Sequence, residues 1–139
     1  MKPYEHKVQY YETDKMGITH HSNYIRWMEE ARIDYLDQIG WNYAKLEGMG
    51  IISPVRAVDC HYRATTTFDD RITIHAGIED FNGVVLRLRY SMTNEAGTKV
   101  FEGYSEHCFL NREGRILRLK KEYPDFYHAL MERVPKKES

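Results

Sequence analysis

The sequence predicts an α+β fold in which one long amphipathic helix packs against an antiparallel sheet, and three observations predict it. Apolar residues Tyr24, Met28, Ala31, Tyr35 and Ile39 recur at spacings of four, three, four and four, which aligns them on one helical face. Beyond them come extended stretches rich in β-branched and aromatic residues, separated by short Asn, Asp and Gly clusters that read as tight turns. The length, 139 residues, suits a single domain able to bury one core.

From Tyr4 to Glu12, His6, Val8 and Tyr10 share one face and Glu5, Lys7 and Gln9 the other, as in a half-buried first strand. Asp14 and Gly17 mark a turn, and Ser22 or Asn23 can cap a helix running from Tyr24 to Ile39. Trp27 and Leu36 widen its apolar stripe, Glu29, Glu30, Arg32, Asp34 and Asp37 mostly occupy the other side, and Gly40 stands where a left-handed glycine ends a helix. One further helical turn is expected over 43–49. Pro54 makes the next strand's start an edge or a bulge, because proline donates no ladder hydrogen bond. Strands are then expected over 55–62, 72–81, 84–93 and 99–110. Asn82-Gly83 reads as a two-residue hairpin turn, since both residues accept positive φ, and Asn94-Glu95-Ala96-Gly97 as another turn. Asn111-Arg112-Glu113-Gly114 closes a hairpin into a short strand over 115–119. The tail from Glu122 to Met131 suits a short helix with Pro124 in its first turn, and 135–139 are expected to fray.

One helix cannot cover both faces of such a sheet, so an edge or a face is left for a second subunit, and a homodimer or homotetramer is expected. Eleven tyrosines agree, because tyrosine suits sheet surfaces and half-buried contacts. Lys+Arg 20 against Asp+Glu 21 gives a net charge of -1, without the basic excess that nucleic-acid binding exploits. No apolar run approaches a membrane span and the N-terminus has no signal-peptide core, so a soluble, cytoplasmic protein is the default. Cys60 and Cys108 are too far apart for a C-x-x-C site and read as reduced strand residues.

Asp14 is the first candidate for chemistry. A carboxylate in a glycine turn beside a helix start lies near unpaired backbone N–H groups, which could hold an oxyanion while the carboxylate attacks or activates water. The alternative is a turn aspartate that satisfies local N–H groups. His20-His21 and His6 raise the question of a metal, but adjacent histidines on an extended chain point to opposite faces and the other four are scattered, so no metal or other cofactor is expected. His21, seven residues after Asp14, is a candidate orienting group. There is no G-x-S-x-G elbow, P-loop or G-x-G-x-x-G, and Cys60 lacks the surroundings of a reactive thiol. Arg56, Arg63, Arg87 and Arg89 read as a solvated strand face, or as phosphate contacts.

The run from Tyr11 to Tyr24, Y-E-T-D-K-M-G-I-T-H-H-S-N-Y, with Trp27-Met28-Glu29-Glu30-Ala31-Arg32 after it, resembles the signature of hotdog-fold acyl-CoA thioesterases. The likeness is to the 4-hydroxybenzoyl-CoA thioesterase type, close to the branch associated with the Tol-Pal system, and it covers nearly the whole chain. It implies a long central helix wrapped by a curved antiparallel sheet, an acyl-CoA substrate, no cofactor and a site at a dimer interface. It further implies Asp14 as the catalytic carboxylate, Tyr24 as the helix-start residue whose backbone N–H polarises the thioester carbonyl, and His21 as a histidine of the Tol-Pal-associated branch. Lys15, Met16 and Thr19-His20 depart from the commoner residues, which bears on acyl preference. A non-catalytic acyl-CoA-binding hotdog domain is the alternative, and a hotdog dehydratase would want a histidine and acid pair on the central helix that is not evident.

Overall fold

The apolar stripe of the long helix dictates the architecture. In the computed structural model, which describes residues 1–136, helix α1 (Ser22–Gln38) buries Tyr24, Trp27, Met28, Ala31, Tyr35 and Leu36. These side chains form one cluster with Ile72, Ile74, Leu88, Tyr90 and Met92 of the sheet. The sheet comprises β1 (Tyr4–Lys7), β2 (Val55–Tyr62), β3 (Arg71–Phe81), β4 (Leu86–Thr93) and β5 (Lys99–His107), in the order β1-β3-β4-β5-β2 with every pairing antiparallel. This is the α+β hotdog arrangement. Strict alternation along β4 sends Leu86, Leu88, Tyr90 and Met92 inward, as the period of two requires.

Among the described residues three short helices complete the fold: α2 (Tyr43–Gly48), α3 (Leu119–Glu122) and α4 (Pro124–Met131), the last with Pro124 in its first turn. Phe126 of α4 packs against Trp41 and Phe109 at ring distances of 4.9 and 5.5 Å, closing the core beyond the end of α1. Gly40, at φ 87°, terminates α1 as expected.

Several expectations are corrected. The first strand ends at Lys7; Tyr10–Glu12 form a 3₁₀ turn that turns Tyr10 out to solvent, because the Glu12 side chain accepts the Gln9 N–H and is drawn inward. Helix α1 begins at Ser22, not Tyr24, and its cap is neither Ser22 nor Asn23: the His20 ring accepts the Ser22 N–H. The turn at Asn82-Gly83 is a four-residue loop over 82–85, since the Asn82 carboxamide accepts the N–H groups of both Val84 and Val85. Strand β5 stops at His107, the expected strand over 115–119 is reduced to a single bridge between Leu110 and Ile116, and Tyr123 breaks the tail helix into two. Residues 137–139 of the tail expected to fray lie outside the described residues.

Strand β2 lies at the sheet edge, with a register shift between Val55 and Ala57 just after Pro54. Val55, Val58 and Tyr62 stay exposed along it. What holds β2 is a close approach to β5: a Cβ on Gly103 would run into the Asp59 carbonyl oxygen. Gly103→Ala is therefore expected to cost about 3 kcal/mol, the upper end of overpacking penalties, because the obstacle is backbone. Urea denaturation of the variant checks this, and a change below about 0.5 kcal/mol, the size of an ordinary surface substitution, refutes the constraint.

Candidate active site

Asp14 sits in a tight turn clipped at both ends. Its N–H donates to the Ile18 carbonyl at 2.8 Å and its carbonyl accepts from Gly17, whose φ of 79° only glycine adopts freely. The turn is fastened to the segment before β3: Thr67 Oγ1 donates to the Gly17 carbonyl and the Thr19 N–H to the Thr66 carbonyl. One carboxylate oxygen of Asp14 accepts the Met16 N–H at 2.8 Å. The other has no hydrogen-bond partner among the described residues, so the group is held while keeping an oxygen for chemistry.

The start of α1 faces the same cleft. The Ser22 N–H is taken by the His20 ring, the Asn23 N–H by the His20 carbonyl and the Tyr24 N–H by the His21 carbonyl at 3.3 Å. Among the described residues the His21 N–H has no such partner. The open donor at this helix start is therefore that of His21, whereas the Tyr24 N–H, three residues further on, is already paired with the His21 carbonyl. Tyr24 instead buries its ring, stacked on Phe101, and bonds Thr66 Oγ1 through its hydroxyl. His20 and His21 do not diverge as on an extended chain: the helix start brings their rings within 4.2 Å, tilted by 30°.

A buried carboxylate that sequence reasoning took for a strand end ties these two pieces together. Glu12 Oε1 accepts from the Gln9 N–H and lies 2.8 Å from His6 Nε2, and Oε2 accepts the Trp27 indole N–H at 2.7 Å. The Glu12 carbonyl accepts from the His20 N–H and from Asn23 Nδ2. One residue thus links the chain before Asp14 to the residues that open α1. The available signal was Trp27 on the inner face, whose indole N–H needs an acceptor once buried.

Asp14, His21 and Tyr24 line one open cleft of about 340 Å³ with Met16, Tyr62 and Arg63. Tyr62, which sequence reasoning missed, reaches over from the edge strand and donates its hydroxyl to the His21 carbonyl at 3.3 Å. Although the ring is half-exposed, partial desolvation, then the neighbouring Cys60, pushes its phenol up to about 12, so it stays a neutral donor. Burial also raises the Cys60 thiol, which argues against a nucleophile there. Among the described residues no group of three His, Cys, Asp or Glu is placed to hold a metal ion. The strand arginines are engaged: Arg63 with Glu102 at 2.6 Å, and Arg87 and Arg89 with Glu79 while lying over the Tyr104 ring.

Residues 8–134 match the family model of the Thioesterase-like superfamily. The chain is 32% identical over 126 residues to YneP of Bacillus subtilis, provisionally named an acyl-CoA thioesterase, covering 90% of this chain and 91% of that protein. It is 26% identical over 96 residues to the acyl-CoA thioester hydrolase YbgC of Escherichia coli, covering 69% and 72%. A crystal structure of a DHNA-CoA thioesterase from Staphylococcus aureus superposes with a TM-score of 0.91 at 30% identity, over 94% of this chain and 89% of that one. The chain belongs to the Thioesterase-like superfamily.

The Glu12 network carries a pH signature. Burial alone would push the Glu12 carboxyl up, but the hydrogen bonds from Gln9, His6 and Trp27 outweigh it and hold the group below its ordinary value. Folding therefore favours the ionised form, so its contribution is fully present above the unfolded carboxylate range and is lost as pH falls through the lowered native value. Glu12→Gln is expected to lose about 2 kcal/mol at neutral pH, the worth of hydrogen bonds to a charged group, and to flatten the acid limb. Denaturant titrations of both proteins from neutral to acidic pH check this; parallel curves refute it.

Proposed function

We propose that this chain hydrolyses acyl-CoA thioesters to the free acid and CoA, as a member of the 4-hydroxybenzoyl-CoA thioesterase type on the side of its Tol-Pal-associated branch. The observation that carries the reading is the placement of a half-free carboxylate, Asp14, and an unpartnered N–H, that of His21, on one cleft. The family match and the acyl-CoA names of YneP and YbgC support the substrate class.

A thioester carbonyl seated with its oxygen at the α1 start receives the His21 N–H, backed by the positive end of the helix. Negative charge developing on that oxygen is then stabilised by a donor already in place, at no cost in reorganisation. Asp14 either attacks the carbonyl carbon, forming an anhydride that water then cleaves, or takes a proton from an attacking water. In both routes CoA leaves as the thiolate and no cofactor takes part. The His21 ring lines the cleft and orients the thioester or the water. The Tyr24 ring backs the site through its stacking and its bond to Thr66, and its N–H adds to the first-turn dipole that faces the carbonyl.

The exposed apolar residues Val55, Val58 and Tyr62 on an edge strand paired on one side only, with Ile25 of α1 also exposed, support a homodimer that covers this edge, or a tetramer built from it. A folded, active monomer in sedimentation at micromolar concentration refutes this assembly.

Asp14→Asn keeps the shape of the turn and removes the anion, so turnover is expected to fall by several orders of magnitude with fold and acyl-CoA affinity retained. Asp14→Glu displaces the carboxylate by about 1 Å, which costs on the order of 10²-fold, and falls between the two. His21→Ala keeps the backbone N–H and loses the ring, with an expected loss of about 10²-fold, at the low end for acid–base or orienting groups. Thiol release from a panel of acyl-CoA esters measures all three. Wild-type rates in a folded Asn variant refute the mechanism, and binding without turnover in the wild type selects the acyl-CoA-binding reading.

A further inference from the structure

Arg32 is only 5% exposed, yet among the described residues its guanidinium meets no carboxylate within 4.0 Å and no hydrogen-bond acceptor. The nearest compensation is the face of the Tyr43 ring, 5.4 Å from the guanidinium carbon. None of its nitrogens is among the buried atoms left without a partner, so the guanidinium opens onto the space beside it and is not sealed in the core. Arg32 lines a cavity of about 30 Å³ between α1 and the sheet. Polar groups form its inner wall: Tyr90 Oη, Ser105 Oγ and His107 Nε2 make a continuous chain with steps of 2.7 Å. His107 is almost wholly buried and its Nδ1 has no well-formed hydrogen bond. Burial, then the Arg32 charge, pushes the imidazole down to about 3, so it is neutral and supplies no counter-charge. Glu29 also lines the cavity but is exposed and stays outside ion-pair range of Arg32.

The cavity and the Asp14 cleft lie along the same two elements. On α1, Tyr24 belongs to the cleft and Arg32 to the cavity, eight residues or about 12 Å apart along the axis. On β2, Tyr62 belongs to the cleft and Val58 to the cavity, about 13 Å apart. Ile25, Met28, Val55 and Val58 make the cavity's remaining wall apolar. We propose that the cavity recognises an anionic oxygen group at the far end of the acyl chain, so that the enzyme takes acyl thioesters ending in a carboxylate and Arg32 determines that specificity. The inference rests on the thioester-hydrolase reading of the Asp14 cleft. A volume of about 30 Å³ suits a small polar terminus and not a ring, since one water needs roughly 10–15 Å³ of such space. The apolar wall, in which Ile25, Val55 and Val58 also border the proposed subunit contact, suits the methylenes that precede it.

The test compares CoA esters matched in length and long enough to span the two sites, decanoyl with sebacyl and dodecanoyl with dodecanedioyl, on the wild type, Arg32→Lys and Arg32→Met. The wild type is expected to favour the carboxylate-ended ester of at least one pair by roughly 10- to 100-fold in kcat/KM, the discrimination a charged hydrogen bond supplies. Arg32→Met should abolish the preference, mainly through KM, and Arg32→Lys should keep part of it. Preference for the uncharged esters, unchanged by Arg32→Met, overturns the proposal. So does an Arg32→Met variant with wild-type selectivity and a weakened oligomer, which assigns Arg32 to a subunit contact. A second measurement does not need turnover or a folded variant: adipate is titrated into wild-type protein carrying nitrogen-labelled arginine, and the Arg32 side-chain resonance is followed. A saturable shift supports the pocket, and a resonance that stays put overturns it. If no CoA ester is hydrolysed the hydrolase reading fails by itself, and this titration still decides the pocket.

Discussion

The buried carboxylate of Glu12 is the constraint on which the rest of the site depends. Its two oxygens take hydrogen bonds from a backbone N–H and an indole, the first of them also lies 2.8 Å from an imidazole nitrogen, and its carbonyl holds the chain that opens α1. Removing one member of such a set leaves the others buried and unsatisfied, which is why buried polar networks act as all-or-none devices. Here that cooperativity has a geometric use. Asp14 is two residues from Glu12 and His21 follows directly on His20, so the carboxylate and the free N–H that face the cleft are both referenced to one buried anchor. His6 is held on its other side by Glu30, which extends the anchor to the middle of α1.

The second constraint is the edge strand. The order β1-β3-β4-β5-β2 leaves β2 bonded to β5 alone, and Gly103 lets the two backbones approach where any side chain would collide. That approach brings Tyr62 against Tyr24, ring centroids 5.2 Å apart, and so closes one side of the cleft with a strand that packs little of its own surface. A strand so sparsely buried is poorly stabilised by its own chain, and its exposed Val55, Val58 and Tyr62 give a second copy apolar surface to cover.

How much of this was legible in the sequence depended on how local the cause is. The helical stripe, the strand at 55–62 and the glycine stop at Gly40 follow from periodicity and from conformations only glycine reaches easily, and each was readable. Asp14 and His21 stand out from the turn and the motif around them, and the fold places both on one cleft. The helix cap was misread because Ser22 and Asn23 have the usual capping chemistry, whereas a ring nitrogen of His20 reached the donor first. The 3₁₀ turn at Tyr10–Glu12 broke an alternating pattern for the sake of a buried carboxylate whose partners, His6 and Trp27, lie 6 and 15 residues away. Tyr62 was out of reach for the same reason, 41 residues from the His21 carbonyl it bonds.

Arg32 shows where such reasoning goes astray and what corrects it. Its position on the helix assigns it to the polar side, where a charge run is ordinarily solvated, and Asp34 and Asp37 nearby keep to that pattern in being only partly buried or exposed. Arg32 nonetheless lines a cavity with Val55, Val58 and the Tyr90–Ser105–His107 chain, so the polar side splits into an outer strip facing water and an inner strip facing that cavity. Helical periodicity predicts one buried face; a cavity left between the helix and the sheet gives it a second, along the seam with the edge strand. The residues on that seam are the ones whose character cannot be explained by the core, since a core would use leucine there. A guanidinium, an imidazole kept neutral by its surroundings and two hydroxyls in series make a poor packing solution and a specific receptor for an oxygen anion.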